Sequence, residues 1–277
     1  MIRELGQSEF HKCEKLVNDE GHLEVKAVIQ GNNPGRIFVD NQESPKTGMI
    51  WLGNHDGFFF IGDEENGAFN DHINDFLAQV IFPEAKKMKV HNFIAIGHHS
   101  RWEETLERVF KYERMQKSNQ NVYKMAEIDD INQNEPLIYQ DYKVVKINKE
   151  LLDNTDNKIE NVGFLRSKIK EFWSSPLEFF QKGEGYGIIY HNKVVSLCFS
   201  GFVAGKVHSI DVETLEEHQE NKLGQKAAHN MVKECLRKGL IPYWDCEVKN
   251  APSNTIAKKL GLDMYLNYNV YIFPIED

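Results

Sequence analysis

The sequence lacks the cysteine pairs and long apolar runs that mark zinc-binding, disulfide-rich and membrane proteins. None of its four cysteines belongs to a CxxC pair, so their spacing supports neither a zinc site nor a disulfide framework, and reduced thiols are expected. No stretch reaches the roughly 18 uninterrupted apolar residues of a membrane-spanning helix. An acid and a glutamine stand near the N-terminus, where a signal peptide needs an apolar run, which predicts a cytoplasmic location.

Positive charge is in short supply. The 277 residues include 33 lysines and arginines against 42 aspartates and glutamates, a formal net charge of −9. Such a surface suits neither the phosphates of nucleic acid nor an anionic membrane, so no partner of either kind is expected, and an amine-bearing small molecule fits the field better. The composition, 41% hydrophobic and 27% charged, is typical of a folded globular protein with room for two domains.

No Pro/Gly/Ser-rich linker divides the chain, but a polar stretch over residues 127–136 separates two more apolar regions. A boundary there predicts two domains, residues 1–135 and 136–277. In the first, Ala27–Ile29, Arg36–Val39, Met49–Leu52 and Phe58–Ile61 flank turn residues and are predicted as strands. An amphipathic helix over 69–87, a strand over 92–96 and a helix over 102–110 follow.

The second half has a similar order of elements, which suggests a duplication. A strand over 142–147 and a helix over 165–180 precede a hairpin whose two-residue turn is His191–Asn192. A strand over 206–213, a helix over 223–238 that stops before Gly239, and a strand over 240–246 come next. A short helix over 252–260 and a strand over 268–273 complete the chain.

The segment with the clearest chemistry is a strand that leads through a polar loop into a helix, over residues 207–238. The first N–H groups of a helix have no intrahelical partner, so an anion on the Gln219–Gly224 turn would be held mainly by main-chain amides. Gly224 would allow close backbone approach, and Lys222 and Lys226 would add positive charge. The alternative is an ordinary solvated loop before a surface helix.

The loop reads Gln219-x-x-Lys222-x-Gly224, and Asn250 precedes a helix that closes in Lys259-Leu260-Gly261-Leu262. Over roughly residues 140–277 this ordered set resembles the GCN5-related N-acetyltransferases (GNAT), especially bacterial two-domain members of the zwittermicin self-resistance type. Their loop reads Gln/Arg-x-x-Gly-x-Gly/Ala, so Lys222 replaces its first glycine. The resemblance implies an α/β (α+β) GNAT fold, a mixed, mostly antiparallel sheet flanked by helices, preceded by a degenerate GNAT-like N-terminal domain.

The resemblance also implies acetyl-CoA as cofactor, held between the fourth and fifth strands of the GNAT fold. The pantetheine arm would lie along Ile210–Val212 and Tyr243–Cys246, and the pyrophosphate on the loop amides. The implied cofactor-binding residues are Ile210, Val212, Gln219, Glu220, Asn221, Lys222, Leu223, Gly224 and Asn250. In the first half, residues 62–67 carry three acids that would repel a pyrophosphate, so that domain is expected to wall the substrate cleft instead. No metal is expected.

Catalysis in this family is direct attack of an amine on the thioester, which requires a base and an acid. Three candidate bases lie along the predicted strand: His208, Asp211 and Glu213. The pKa of a histidine is best matched to neutral pH, although a strand histidine can equally be buried and satisfied by the backbone. Strand alternation places Asp211 and Glu213 on the opposite face from His208. The tyrosine acid of many members, seven residues after Asn250, is replaced by Ala257.

The leading hypothesis is an acetyl-CoA-dependent N-acetyltransferase that acts on the primary amine of a small molecule such as an antibiotic or metabolite. Ala257 and Lys222 motivate an alternative, a non-catalytic CoA- or acyl-CoA-binding protein that regulates or scaffolds. A longer acyl chain or a protein amine as acceptor is a third reading.

Overall fold

The computed structural model describes residues 2–18, 21–53, 57–125 and 135–275. Its strands are β1 (Arg3–Glu4), β2 (Arg36–Val39), β3 (Thr47–Trp51), β4 (Phe58–Gly62), β5 (Asn92–Gly97), β6 (Gln116–Lys124), β7 (Tyr142–Lys146), β8 (Gly185–Tyr190), β9 (Lys193–Ala204), β10 (Val207–Thr214), β11 (Ile241–Glu247) and β12 (Asp263–Pro274). Its α-helices are α1 (Leu23–Ile29), α2 (Gly67–Asn70), α3 (Ile73–Phe76), α4 (Phe82–Lys87), α5 (Trp102–Val109), α6 (Lys149–Asp153), α7 (Val162–Phe172), α8 (Pro176–Lys182), α9 (Leu223–Arg237) and α10 (Ala251–Lys259).

These elements form two compact units, residues 1–120 with 268–277, and residues 121–267. The first unit has the strand order β1-β2-β3-β4-β5-β12, in which β4 and β5 run parallel and the other pairs antiparallel. The second has the order β11-β10-β9-β8-β7, in which β10 and β11 run parallel and the other pairs antiparallel. The predicted fold class, mixed and mostly antiparallel sheet flanked by helices, is confirmed.

The division differs from the predicted domains of residues 1–135 and 136–277. Strands β6 and β12 each have residues in both units, so residues 121–125 belong to the second unit and residues 268–275 to the first. Pairing explains the C-terminal part, because β12 pairs with β5 from Val270↔Ile96 to Pro274↔Asn92. The polar stretch that marked the predicted boundary falls largely on residues 126–134, outside the described residues.

Most predicted elements are present, with three corrections. Residues 27–29, predicted as a strand, belong to helix α1, whose side chains are nearly all buried, so the run carries no helical period that could be read. The predicted helix over 165–180 is two helices, because Ser175 caps α8 by accepting a hydrogen bond from the Glu178 N–H at 3.2 Å and Pro176 follows at its first position. The predicted helix over 69–87 is interrupted by a turn at residues 71–72, between α2 and α3. It also contains a π turn at Leu77–Ile81, since Pro83 cannot donate to the Gln79 carbonyl.

In the second unit, helices cover both faces of the sheet. Side chains of α9 and α10 pack with Ile188, Ile210 and Trp244 on one face, and those of α7 and α8 with Leu197 and Phe199 on the other. The first unit has an aromatic core in which Phe58, Phe93 and Phe273 are in ring contact. Within the described residues, no helix has both the length and the apolar character to cross a membrane.

Candidate functional site

The parallel strands β10 and β11 of the second unit border a cavity. Their register extends from Val207↔Ile241 to Ser209↔Tyr243, after which β10 continues to Thr214 and β11 to Glu247. A cavity of about 830 Å³ is lined by Val212 and Thr214 of β10, Trp244 of β11, the loop before α9 and the first turns of α10. We call it the strand-end cavity. It is the size of a small-molecule or cofactor site.

The loop before α9 adopts the backbone conformation that its predicted role needs. Glu220 and Lys222 have φ of +64° and +60°, in the left-handed region that favours glycine. The first intrahelical bond of α9 runs from the Lys226 N–H to the Lys222 carbonyl at 2.9 Å, so the amides of residues 223–225 precede the helical ladder. Lys222 therefore keeps the glycine-like turn although the glycine is absent.

Gly224 is where the loop lies closest to the strand. A Cβ added there would lie 3.1 Å from Val212 Cγ1 and 3.3 Å from Thr214 Oγ1. The helix start is thus held against β10 with little room for a side chain, and all three residues line the cavity. A large side chain at this position would fill the cavity instead.

The other wall is fixed by two asparagines. The Asn250 side chain accepts a hydrogen bond from the Ser253 N–H at 3.1 Å and caps α10, and Ser253 Oγ in turn accepts from Trp244 Nε1 at 2.9 Å. The buried Asn254 amide donates to the carbonyls of Glu247 and Asn250 at 2.9 and 2.7 Å, and its oxygen accepts from β6. Asn254 therefore fixes the corner between β11 and α10. Sequence reasoning missed it, because one asparagine in a polar helix carries no pattern.

Seven predicted cofactor residues line the cavity: Val212, Gln219, Glu220, Lys222, Leu223, Gly224 and Asn250. Two have other places. Ile210 is buried in the core beneath α9, and the Asn221 amide donates to the carbonyls of His218 and Gln219, which stabilises the loop. Thr214, His218 and Ser253 also line the cavity and were not singled out from the sequence; Trp244, expected beside the pantetheine arm, lines it as well.

His208 lies in the interior of the second unit. It is 3% exposed, and its Nδ1 is 2.9 Å from Ser200 Oγ, which accepts a hydrogen bond from the Glu184 N–H. Burial lowers the pKa of His208 to about 4. Its position agrees with the buried reading of this residue, except that a serine hydroxyl is its partner.

Asp211 and Glu213 lie on the face of β10 that meets α7. Glu213 is ion-paired with Lys168 of α7 at 2.7 Å, whereas the alternating residues Val212 and Thr214 face the strand-end cavity. Asp211 is the first titratable residue of β10 after the register with β11 ends. Among the described residues, none of the three predicted bases lines the cavity.

The usual tyrosine acid has no direct substitute. Ala257 is fully buried, and Tyr243 on β11 is 2% exposed. Tyr265 is at the surface, with Lys124 Nζ 4.8 Å above its ring. Among the described residues, no group of three or more His, Cys, Asp or Glu side chains is placed to hold a metal ion.

The first unit contains an equivalent pair of parallel strands. Beyond their paired register, residues of the same unit hydrogen-bond to the strand carbonyls. β4 and β5 pair from Phe58↔Ala95 to Phe60↔Gly97. Beyond that register the His98 N–H donates to the Phe60 carbonyl at 2.9 Å, and His99 Nε2 donates to the Gly62 carbonyl at 3.1 Å. In the acidic loop that follows β4, Glu64 pairs with Arg101 at 3.2 Å. Residues of the first unit itself thus bind the strand carbonyls beyond this register.

Comparisons with known proteins agree with this geometry. A family model described as GNAT acetyltransferase matches residues 14–271. The chain is 27% identical over 281 residues to an uncharacterized N-acetyltransferase, YdfB, of Bacillus subtilis (strain 168), and the match covers 98% of both chains.

Two solved structures share the fold. A GCN5-related N-acetyltransferase-like protein from Streptococcus suis has a TM-score of 0.72 at 20% identity and covers 97% of this chain and 100% of its own. A tandem GNAT protein from the clavulanic acid biosynthesis pathway has a TM-score of 0.60 at 8% identity, with coverage of 100% and 99%. At these identities the likeness establishes the fold alone.

Proposed function

The chain belongs to the GNAT acetyltransferase family, and from that premise we propose that it transfers an acetyl group from acetyl-CoA to the primary amine of a small molecule. The observation that carries the proposal is the strand-end cavity. It is bordered by β10 and β11 beyond their paired register, by a loop in a glycine-like conformation and by the start of a helix. This combination suits a cofactor with an anionic centre and an extended arm.

The residues of the cavity fit acetyl-CoA. The amides of residues 223–225 stand at the start of the 15-residue helix α9, where the helix dipole favours an anion, and Lys222 adds charge. Gly224 keeps the loop close to β10. We assign the pyrophosphate to this loop and the pantetheine arm to the segments of β10 and β11 beyond Ser209 and Tyr243.

Bound acetyl-CoA supplies the thioester. An N–C bond forms and the C–S bond breaks, so one proton must leave the amine and one must reach the thiolate sulfur. We assign the base to Asp211, directly or through a water, because it is the first titratable residue beyond the register end and because His208, with a pKa of about 4, is a weak base at neutral pH. Glu213, which is ion-paired with Lys168 at 2.7 Å, is the second candidate.

A cationic amine suits the acceptor side. Asp211 and Glu213 place two carboxylates on the face opposite the cavity, and the chain carries a net charge of −9. Both features favour an amine that carries more than one positive charge, such as a polyamine or an aminoglycoside. Ala257, with no hydroxyl at the usual acid position, favours a second candidate function, a CoA-binding protein without turnover.

Thiol release separates the two functions. Acetyl-CoA is incubated with the protein and a panel of polyamines and aminoglycosides, and free CoA thiol is followed with a chromogenic disulfide. Amine-dependent release that disappears in Gly224→Trp supports the transferase. Binding of acetyl-CoA in calorimetry with no thiol release across the panel would favour the CoA-binding protein. No binding at millimolar acetyl-CoA would contradict both functions.

A further inference from the structure

A second hollow on the surface of the second unit has no role in the transfer chemistry. Its volume is about 470 Å³, and it is lined by Tyr139, Gln140, Asp141, Tyr142 and Tyr190. Tyr142 and Tyr190 are directly opposite each other on β7 and β8, with ring centroids 4.6 Å apart and planes inclined by 31°. Tyr139 is 74% exposed. The hollow therefore presents aromatic rings to solvent at the edge of the sheet.

His218 connects this hollow to the strand-end cavity. Its ring is edge-on to both tyrosines, at 5.8 Å from Tyr142 and 5.2 Å from Tyr190, and its Nδ1 is 3.1 Å from the Tyr142 hydroxyl. The same residue lines the strand-end cavity and immediately precedes Gln219, the first residue of the loop. A ligand whose phosphates lie on the loop can therefore extend past His218 onto the tyrosines.

The chemistry of the hollow fits a purine base. Flat aromatic rings stack on nucleobases, and this stacking tolerates any base because every base has a π face. Gln140 and Asp141 offer side-chain oxygens, which accept hydrogen bonds from an exocyclic amino group. The Asp141 carboxylate disfavours a pyrophosphate in the hollow, so we place the pyrophosphate on the loop and the base in the hollow, with the 3′-phosphate of the ribose directed away from Asp141.

We propose that the hollow formed by Tyr139, Tyr142 and Tyr190, reached past His218, binds the adenine of CoA. The inference rests on the proposed function, because it needs the pyrophosphate on the Gln219–Gly224 loop. It adds a purine site that the transfer step does not use. The tyrosines set the affinity for the nucleotide end of the cofactor and leave the thioester end untouched.

The test compares CoA with 4′-phosphopantetheine, which lacks the adenosine 3′,5′-bisphosphate half of CoA and keeps one phosphate. Calorimetry gives both dissociation constants for the wild type, Tyr142→Leu, Tyr190→Leu and Tyr142→Phe. Each leucine variant should weaken CoA about tenfold, the effect of losing one base-stacking ring, and leave 4′-phosphopantetheine unchanged. Tyr142→Phe keeps the ring and should keep most of the affinity. Tyr112→Leu, at an 87% exposed tyrosine of the first unit, is the control and should bind both ligands normally.

Leucine variants that fold and bind CoA as tightly as the wild type overturn the purine site and leave the proposed function standing. Wild-type protein that binds neither ligand overturns both. Should the leucine variants fail to fold, NMR of the wild type decides: adenosine 3′,5′-bisphosphate must shift the ring protons of Tyr142, Tyr190 and His218. No shift at millimolar ligand overturns the purine site.

Discussion

The two units of the chain each contain a pair of parallel strands followed by a loop and a helix, and they use the space beyond the paired register differently. In the second unit, residues of β10, β11 and the following loop line the strand-end cavity. In the first, His98 and His99 hydrogen-bond to the carbonyls of Phe60 and Gly62 beyond the register of β4 and β5. The pair in the second unit thus borders a cavity, whereas in the first unit histidines of the same unit bind the carbonyls beyond the register.

The loops differ more in shape than in charge. The loop before α9 carries Glu216, Glu217 and Glu220 beside Lys222, but Lys222 has a glycine-like conformation and the loop ends at a 15-residue helix. The loop after β4 carries Asp63, Glu64 and Glu65 and leads into α2, which has 4 residues. Because the amides at the start of a long helix favour an anion, we expect the pyrophosphate on the loop before α9, although Glu220 also lines the cavity there. Under the proposed function, both units share the strand frame and only the second is expected to hold the cofactor.

The largest expected effect on acetyl-CoA binding comes from replacing the glycine at the start of the helix in the second unit, and the matching glycine in the first unit serves as its control. Gly224→Trp should abolish acetyl-CoA binding, a loss on the order of 1,000-fold or more, because the indole fills the strand-end cavity beside Val212 and Thr214. Gly67→Trp is the matched control in the first unit, where an added Cβ approaches only Asp71 Oδ2 at 3.9 Å. Calorimetry measures both. Equal loss in the two variants would contradict the assignment.

Acid should expose a second difference, because burial lowers the pKa of two histidines in the first unit and of His208 in the second. The pKa of His22 is lowered to about 3 and those of His98 and His208 to about 4. A lowered histidine pKa means that the unfolded chain binds more protons below pH 6.5, so stability is full above that pH and falls towards pH 4.

The loss at pH 5 should be about 2 kcal/mol for each of His22, His98 and His208, from a proton affinity difference of 1.36 kcal/mol per pKa unit over the interval below pH 6.5. Hydrogen exchange read by mass spectrometry at pH 7 and pH 5 measures protection in each unit. Protection should fall more in β4 and β5 than in β9 and β10. His22→Phe should reduce the pH dependence of the first unit, and the exposed His72→Asn should not.

The base is tested by a matched pair of aspartates, each beyond the register end of its strand. Asp211→Asn should lower kcat about 100-fold, the usual contribution of a general base, and leave the dissociation constant of acetyl-CoA unchanged. Asp63→Asn, after β4, should leave kcat unchanged. Glu213→Gln should have the smaller effect of the two β10 carboxylates. A larger loss of kcat in His208→Gln than in Asp211→Asn, with folding intact, would refute the assignment.

The smallest expected effect concerns the residue that replaces the family glycine. Lys222→Gly should raise the free energy of unfolding by about 1 kcal/mol, because glycine adopts a φ of +60° without the steric cost of a side chain. Lys258→Gly, inside α10, is the control with the opposite sign, since glycine lowers helix stability by about 1 kcal/mol. Urea denaturation measures both. Destabilisation by Lys222→Gly would show that the lysine side chain holds the loop.

Local sequence signals predicted the elements that position the site. The loop motif, the turn His191–Asn192, where both residues have positive φ, and the helix end before Gly239 are set by neighbours in sequence. Strand β6 was missed, because its residues 116–124 are mostly polar and owe their strand conformation to pairing partners elsewhere in the chain. The sequence Ser175–Pro176 is a typical helix start and indicated the break between α7 and α8. The apolar spacing across it nevertheless led to the prediction of one continuous helix.

The candidate site was predicted less completely than the fold. Seven of the residues predicted to bind the cofactor line the cavity, but motif spacing could not tell that Ile210 faces the core or that the Asn221 side chain bonds within its loop. Which face of a strand is buried depends on the helices packed against it, and the environment of His208 depends on Ser200 of the neighbouring strand. Contacts of this kind come from tertiary packing and leave no local trace.

The central claim is that the second unit holds one acetyl-CoA in the strand-end cavity and that the first unit holds none. A crystal soaked with CoA tests it most directly. We expect one CoA per chain, with its pyrophosphate on the Gln219–Gly224 loop and its sulfur between β10 and β11 beyond Ser209. CoA bound at β4 and β5, or outside the strand-end cavity, would contradict the claim.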